Sequence, residues 1–122
     1  MWKKTTTSIG RHGEDLAARW LEQQGYEIVA RNYRRRFGEV DIIARHEGYL
    51  VFIEVKTRSS NRFGLPADAL TARKQKQLTM IAQDYLARHA CGDTPCRFDV
   101  LSVDLRSGRA PEISILVNAF DS

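Results

Sequence analysis

The sequence predicts an α/β sandwich, a central mixed β-sheet flanked by helices. Three observations predict it. Two segments repeat apolar residues at helical spacing, others alternate with a period of two, and their order is helix, three strands, helix, two strands. At 122 residues, with no linker, repeat or low-complexity segment, the chain is expected to form one domain over residues 1–122.

The first helix is expected to start near Thr7 or Ser8, either of which can cap it, and to stop at Gly25. Ile9, Gly13, Leu16, Ala17, Trp20 and Leu21 form its apolar stripe. Glu14 borders that stripe and can reach either solvent or a site at the sheet edge. Tyr26–Arg31 reads as a first strand, and the run Arg31-Asn32-Tyr33-Arg34-Arg35-Arg36 leads from it into a hairpin. That run is either a solvated loop or a grip on phosphates with a tyrosine able to stack on a base.

The hairpin spans Gly38–Arg58 and turns at Glu47-Gly48. Counting outward pairs His46 with Tyr49 and Ile43 with Phe52, then sets Asp41 opposite Glu54 and Glu39 opposite Lys56. Val40, Ile42, Ala44, Val51, Ile53 and Val55 make one apolar face. The other face is apolar at Ile43, Leu50 and Phe52, then charged at Glu39, Asp41, Glu54 and Lys56. Residues 59–66 read as a basic loop. A long helix follows, starting at about Pro66 or Thr71 and ending at about His89, with Leu78, Ile81, Ala82, Tyr85 and Leu86 buried. Lys74 falls on that apolar face, so it either snorkels out at the helix end or points into the site. Arg73 and Lys76 project elsewhere. Phe98–Leu105 and Ile113–Val117 are the last two strands, joined by a turn at residues 106–109.

Opposed residues on antiparallel strands hold their Cβ atoms roughly 4.5–5.5 Å apart. Two carboxylates that close repel unless a proton or cation lies between them. A fold gains nothing from such a pair, whereas Mg²⁺ prefers carboxylate oxygens and keeps several waters. Asp41 and Glu54 are therefore candidate metal ligands. Lys56, two residues from Glu54 on the same strand face, can orient an attacking water and offset charge on phosphorus. The competing interpretation makes Glu39–Lys56 and Glu54–Lys56 structural ion pairs at a sheet end, worth about 0–1 kcal/mol if exposed.

Charge distribution points the same way. Residues 31–76 hold eleven Lys/Arg against five Asp/Glu, a balance of +6, and the remainder is −2, giving the net +4. A basic surround suits a polyanion, although a solvated basic face with no partner is the bland alternative. Other chemistries lack support. His12, His46 and His89 lie on three separate elements, and the chain has neither GxxxxGK[ST] nor GxGxxG. Cys91 and Cys96, with four residues between them and no second pair, make a weak case for zinc and read as loop thiols without a special role. No apolar run approaches the roughly 18 residues of a membrane span, and no secretory signal follows the first lysines, so the expected compartment is the cytoplasm.

Gly13-Glu14, Arg31-Asn32-Tyr33-Arg34, Gly38–Ala44, Phe52–Arg58, Phe63-Gly64, Lys74, Arg97–Val100 and Asn118-Ala119-Phe120 together resemble the bacterial YraN family over nearly the whole chain. That family is similar to the restriction-endonuclease-like superfamily, whose Asp…(Asp/Glu)-x-Lys core maps onto Asp41, Glu54 and Lys56. It also resembles the archaeal Holliday-junction resolvases, homodimers that place a glutamate on the first helix, here Glu14. No proline precedes Asp41. The resemblance implies a restriction-endonuclease-like fold and an endonuclease acting on branched or structured DNA, with Mg²⁺ or Mn²⁺ held by Asp41, Glu54 and Glu14. Arg34, Arg35, Arg36, Arg58 and Lys74 are the expected phosphate contacts. The rival expectation is a non-catalytic nucleic-acid-binding or assembly module of the same fold, and nothing in the basic face distinguishes DNA from RNA.

Overall fold

The structure is a computed structural model that describes residues 6–59, 70–89, 91–106, 108 and 110–120. The expected basic loop at 60–66 with Phe63-Gly64, the Ile9 side chain, and Ser107 and Arg109 of the expected turn lie outside the described residues. The order is α1 (Thr6–Gln23), β1 (Glu27–Arg35), β2 (Gly38–His46), β3 (Tyr49–Arg58), α2 (Ala72–Arg88), β4 (Cys96–Asp104) and β5 (Glu112–Leu116). The five strands form one mixed sheet in the order β1-β2-β3-β4-β5, antiparallel except where β3 and β4 run parallel through the α2 crossover. This is the α/β architecture the element order predicts.

Local chemistry explains the boundaries. Gly25, at φ +92°, closes α1 while the Tyr26 N–H bonds Leu21 O and the Gly25 N–H bonds Glu22 O. Those two bonds satisfy carbonyls that a helix end leaves free, and glycine takes the left-handed backbone without a Cβ penalty. Glu47 and Gly48 both have positive φ, +51° and +85°, the two-residue turn whose twist suits a hairpin. The register follows from it, with His46 against Tyr49 and Ile43 against Phe52. Of the two expected starts for the second helix, Thr71 is the cap, its hydroxyl accepting the Lys74 N–H at 3.1 Å.

Each helix covers one sheet face. Ala17, Ala18 and Leu21 of α1 pack on Ile42, Ala44, Val51, Ile53, Leu101 and Val103. Leu78, Ile81, Ala82 and Tyr85 of α2 pack on Val40, Ile43, Leu50, Phe52 and Phe98, with Leu86 partly buried beside them. Burying one such large side chain contributes about 1.5–3 kcal/mol. α1 sits very close to β3 at one point. A Cβ on Gly13 would overlap Thr57 Oγ1 and lie 2.8 Å from Thr57 Cγ2.

Two expectations are corrected here. The arginine run is not a loop, because β1 continues to Arg35 and pairs Tyr33 with Val40 and Arg34 with Glu39. Val40 also lies on the α2 side rather than with Ile42 and Ala44. The physical reason is a break in the pleat. β1 bulges between Ile28 and Ala30, and Asn32 takes φ +54° opposite the Val40–Ile42 stretch, so strict alternation does not run through this corner.

Candidate functional site

The two carboxylates stand at the open end of the β2–β3 hairpin. The ladder between these strands ends at Ile42 opposite Ile53, one step before Asp41 and Glu54. There Asp41 Oδ2 accepts the Val55 N–H at 2.8 Å, so a side chain takes a strand donor where the ladder has stopped. Burial, then the neighbouring Glu54 charge, then a hydrogen bond between the two carboxyls push Asp41 up to about 7, against the pull of the Val55 N–H and Lys74.

Glu54 is buried, with a side chain 11 % exposed, and two lysines converge on one of its oxygens. Lys74 Nζ lies 3.4 Å from Glu54 Oε2 and Lys56 Nζ lies 3.8 Å from the same atom. Lys74 also donates to the Glu39 carbonyl at 3.3 Å. Of its two expected placements, then, Lys74 points into the site. Glu39 does not meet Lys56 as counted; its carboxylate accepts from Arg34 Nε at 2.7 Å.

Glu14 on α1 is buried against β1 rather than turned to solvent. Burial raises its pKa first of all, the Arg31 hydrogen bond lowers it, and the Asp41 charge raises it again. Its Oε1 accepts Arg31 Nε at 3.1 Å and Asn32 Nδ2 at 3.0 Å. The Arg31–Asn32 clamp on Glu14 is not apparent from periodicity, because it depends on a backbone break. Its only sequence signal is an Arg-Asn pair at the end of the first expected strand. Among the described residues no three His, Cys, Asp or Glu side chains are gathered closely enough to hold a metal ion between them. The structure thus brings Asp41, Glu54, Lys56 and Lys74 together, and holds Glu14 against Arg31 and Asn32 of β1.

Of the expected phosphate contacts Arg34, Arg35, Arg36, Arg58 and Lys74, Lys74 is engaged with Glu54 and the Glu39 carbonyl. Arg34 is paired with Glu39 and Arg35 lies 3.2 Å from Asp84, which also accepts the Tyr33 hydroxyl. Arg58, partly buried on β3, also interacts with a neighbour. Arg36 is exposed at the β1–β2 turn, and Arg73 and Lys76 are exposed on the first turns of α2, with no acidic residue in that first turn.

The sequence relatives match this geometry in extent. The family described as "Uncharacterised protein family UPF0102" matches residues 13–103, from the glycine at the α1–β3 contact through nearly all of β4. The chain belongs to the UPF0102 family. A UPF0102 protein of Symbiobacterium thermophilum is 46 % identical over 112 residues, covering 92 % of this chain and 95 % of the relative. One from Lachnoclostridium phytofermentans is 49 % identical over 110 residues, covering 89 % of each. Another, from Trichlorobacter lovleyi, is 44 % identical over 119 residues, covering 97 % of this chain and 94 % of the relative. The YraN resemblance read from the motifs and this family are one and the same. No helix among the described residues is long and apolar enough to cross a membrane.

Proposed function

We propose that this UPF0102 protein is a Mg²⁺-dependent endonuclease of restriction-endonuclease-like fold that hydrolyses phosphodiester bonds in branched or structured DNA. One observation carries the proposal: the carboxyls of half-buried Asp41 and buried Glu54 lie beside each other at a sheet end where two lysines converge on Glu54. Burying like charges together costs energy unless a proton or cation lies between them, so the donor set fits a hard divalent ion. Asp41 and Glu54 would hold the ion, with Glu14 as an accessory ligand. When bound, such an ion supplies a more acidic water and neutralises charge on the scissile phosphate.

The chain's own groups do the rest. Lys56, the more exposed of the two lysines at Glu54, would orient a water and offset charge developing on phosphorus. Lys74 holds the Glu54 carboxylate and ties α2 to β2 through the Glu39 carbonyl. Arg36, Arg73 and Lys76, all exposed, are available to track a phosphate backbone. The phosphate contacts expected at Arg34, Arg35 and Arg58 would each exchange an existing neighbour for substrate.

The test is cleavage of labelled single-stranded, duplex, flap and four-way-junction DNA with Mg²⁺, Mn²⁺ or EDTA, with Asp41→Asn alongside. Asparagine keeps an oxygen for the Val55 N–H, so the fold should persist while metal-dependent cutting falls at least about 10²–10³-fold. Undiminished cutting by Asp41→Asn would remove the assignment. Binding that weakens with salt, without product under either metal, would move the protein to the non-catalytic binding class.

A further inference from the structure

The carboxyl pair comes with its cations already in place, and Lys74 is the more firmly held of the two. It rises from the first turn of α2, whose start is fixed by the Thr71 hydroxyl on the Lys74 N–H at 3.1 Å. Its ammonium lies 3.4 Å from Glu54 Oε2 and donates to the Glu39 carbonyl at 3.3 Å. Its side chain is 23 % exposed, against 38 % for Lys56, which meets the same oxygen at 3.8 Å. The Lys74 charge is also felt at Asp41, whose pKa it lowers against the push of burial and Glu54.

A count of charge shows the consequence. With both carboxyls ionised, Asp41 and Glu54 carry −2 and Lys56 and Lys74 carry +2, so the four groups balance without a metal. Among the described residues no third acid, histidine or cysteine joins them to make a metal-holding group. A divalent ion added to these four groups therefore has no charge of its own to neutralise unless an ammonium withdraws. Like charges repel far more strongly in a half-buried site than in water. The ion also needs carboxylate lone pairs, and two ammonium groups already face Glu54 Oε2.

We infer that Lys74 is a resident counter-cation that competes with a divalent ion for Glu54: its ammonium neutralises the carboxyl pair in the free protein, and the ion enters as Lys74 lets go. This role rests on the metal-dependent reading above and adds to it a control on loading, exerted from the first turn of α2. A lysine serving only to tie α2 to β2 would not oppose the ion.

The experiment is calorimetric titration of the full chain with Mn²⁺. It compares the wild type with Lys74→Met, Lys74→Gln, Lys74→Arg, Lys56→Met, Asp41→Asn and the Lys74→Met/Asp41→Asn double variant. Methionine keeps an unbranched stem and drops the charge. Glutamine also drops the charge but can still donate to Glu54, so the test stands even if Lys74→Met does not fold. Removing the competitor should tighten Mn²⁺ binding about 5–150-fold in either neutral variant. Lys74→Arg keeps the charge and should bind no more tightly than the wild type. Lys56→Met should gain less, because its ammonium is farther from Glu54 and more exposed. The double variant should lose the gain, which ties the ion to the carboxyl pair. Affinity unchanged or weaker in the neutral Lys74 variants overturns the counter-cation role alone and leaves Lys74 a structural tie. An equal gain in Lys56→Met overturns it too, because a general field would then oppose the ion. Absence of Asp41-dependent Mn²⁺ binding from the wild type and from both neutral variants overturns the metal-dependent reading, and this role with it.

Discussion

The two ends of the β2–β3 hairpin solve the problem of buried charge in opposite ways. From the turn end a network runs inward to Asp99, which stands beside Ile53 in the β3–β4 register and is 1 % exposed yet engaged on both oxygens. Its carboxylate takes Arg97 Nε at 3.0 Å, Arg97 Nη2 at 2.9 Å, the Tyr26 hydroxyl at 3.3 Å and the Asn118 N–H at 3.0 Å. Arg97 lies over the Tyr26 and Tyr49 rings and reaches His46 Nδ1, which stacks on Tyr26. Burial, reinforced by the Asp99 charge, pushes the Tyr26 phenol up to about 12, so it stays a donor. At the open end, Asp41 takes one backbone N–H and Glu54 meets two lysines, yet the two carboxyls still lie against each other. One end binds a start of a strand, a hairpin turn and the C-terminal segment into one satisfied network; the other keeps an electrostatic debt. Buried polar groups kept for the fold come with their complements, and those lacking them mark chemistry still to be supplied.

Breaking the satisfied end should have the larger effect on stability. Asp99→Ala leaves Arg97 buried without a countercharge and frees both the Tyr26 hydroxyl and the Asn118 N–H. Removing one partner of a buried pair costs about 3–5 kcal/mol. Urea unfolding followed by circular dichroism should show that loss, and a change below about 1 kcal/mol would mean the network is not the keystone drawn above.

The open end should respond with the opposite sign. Asp41 is raised from its ordinary 3.8 to about 7, so between those values the folded protein keeps a proton that the unfolded chain releases. Its contribution is therefore favourable at low pH and is lost as pH rises through about 7. The metal-free protein should be less stable at pH 8 than at pH 5.5 through this group, by on the order of a few kcal/mol. Asp41→Asn should flatten that slope and equal or exceed the wild type in stability at pH 8. Mg²⁺ at a large excess over its Kd should restore the wild type there by about 2–4 kcal/mol. Parallel slopes for the two proteins would show that the carboxyl pair is not strained.

Much of this contrast was legible in the sequence. Counting from Glu47-Gly48 set the register, because a two-residue turn and a period of two leave no freedom between them. Lys74 stood out as a charge on an apolar helix face, and it points into the site. What escaped had non-local or non-periodic causes. The Asn32 backbone breaks the pleat, so a period of two ends β1 at Arg31, puts Val40 on the wrong face and gives no sign of the Arg31–Asn32 contacts with Glu14. Arg35 finds Asp84 forty-nine positions away, a pairing no local pattern encodes. Arg97 and Asp99 did leave a trace, as charged residues continuing the inward row of Leu101 and Val103, but their partners come from three other parts of the chain.

Gly13 offers a smaller change that tests whether the two ends are independent. It is not in the stripe to fill space, since its value lies in having no Cβ where α1 crosses Thr57. Gly13→Ala forces either a helix shift or a new rotamer on a half-buried strand residue, and overpacking of this kind typically costs about 1–3 kcal/mol. Part of that is offset by alanine's better helix propensity, worth about 1 kcal/mol. The net loss should then be modest, below that of Asp99→Ala. The consequences should be uneven, because Glu14 is the next residue and its carboxylate moves with the helix, whereas Asp99 and Arg97 do not depend on that turn of α1. Metal-dependent cleavage should fall further than the stability loss explains, while Tyr26 and His46 side-chain NMR signals at the turn end stay in place. If those signals shift as much as the open end does, α1 couples the two clusters, and the division between a satisfied end and an indebted one is a property of the whole sheet rather than of its two termini.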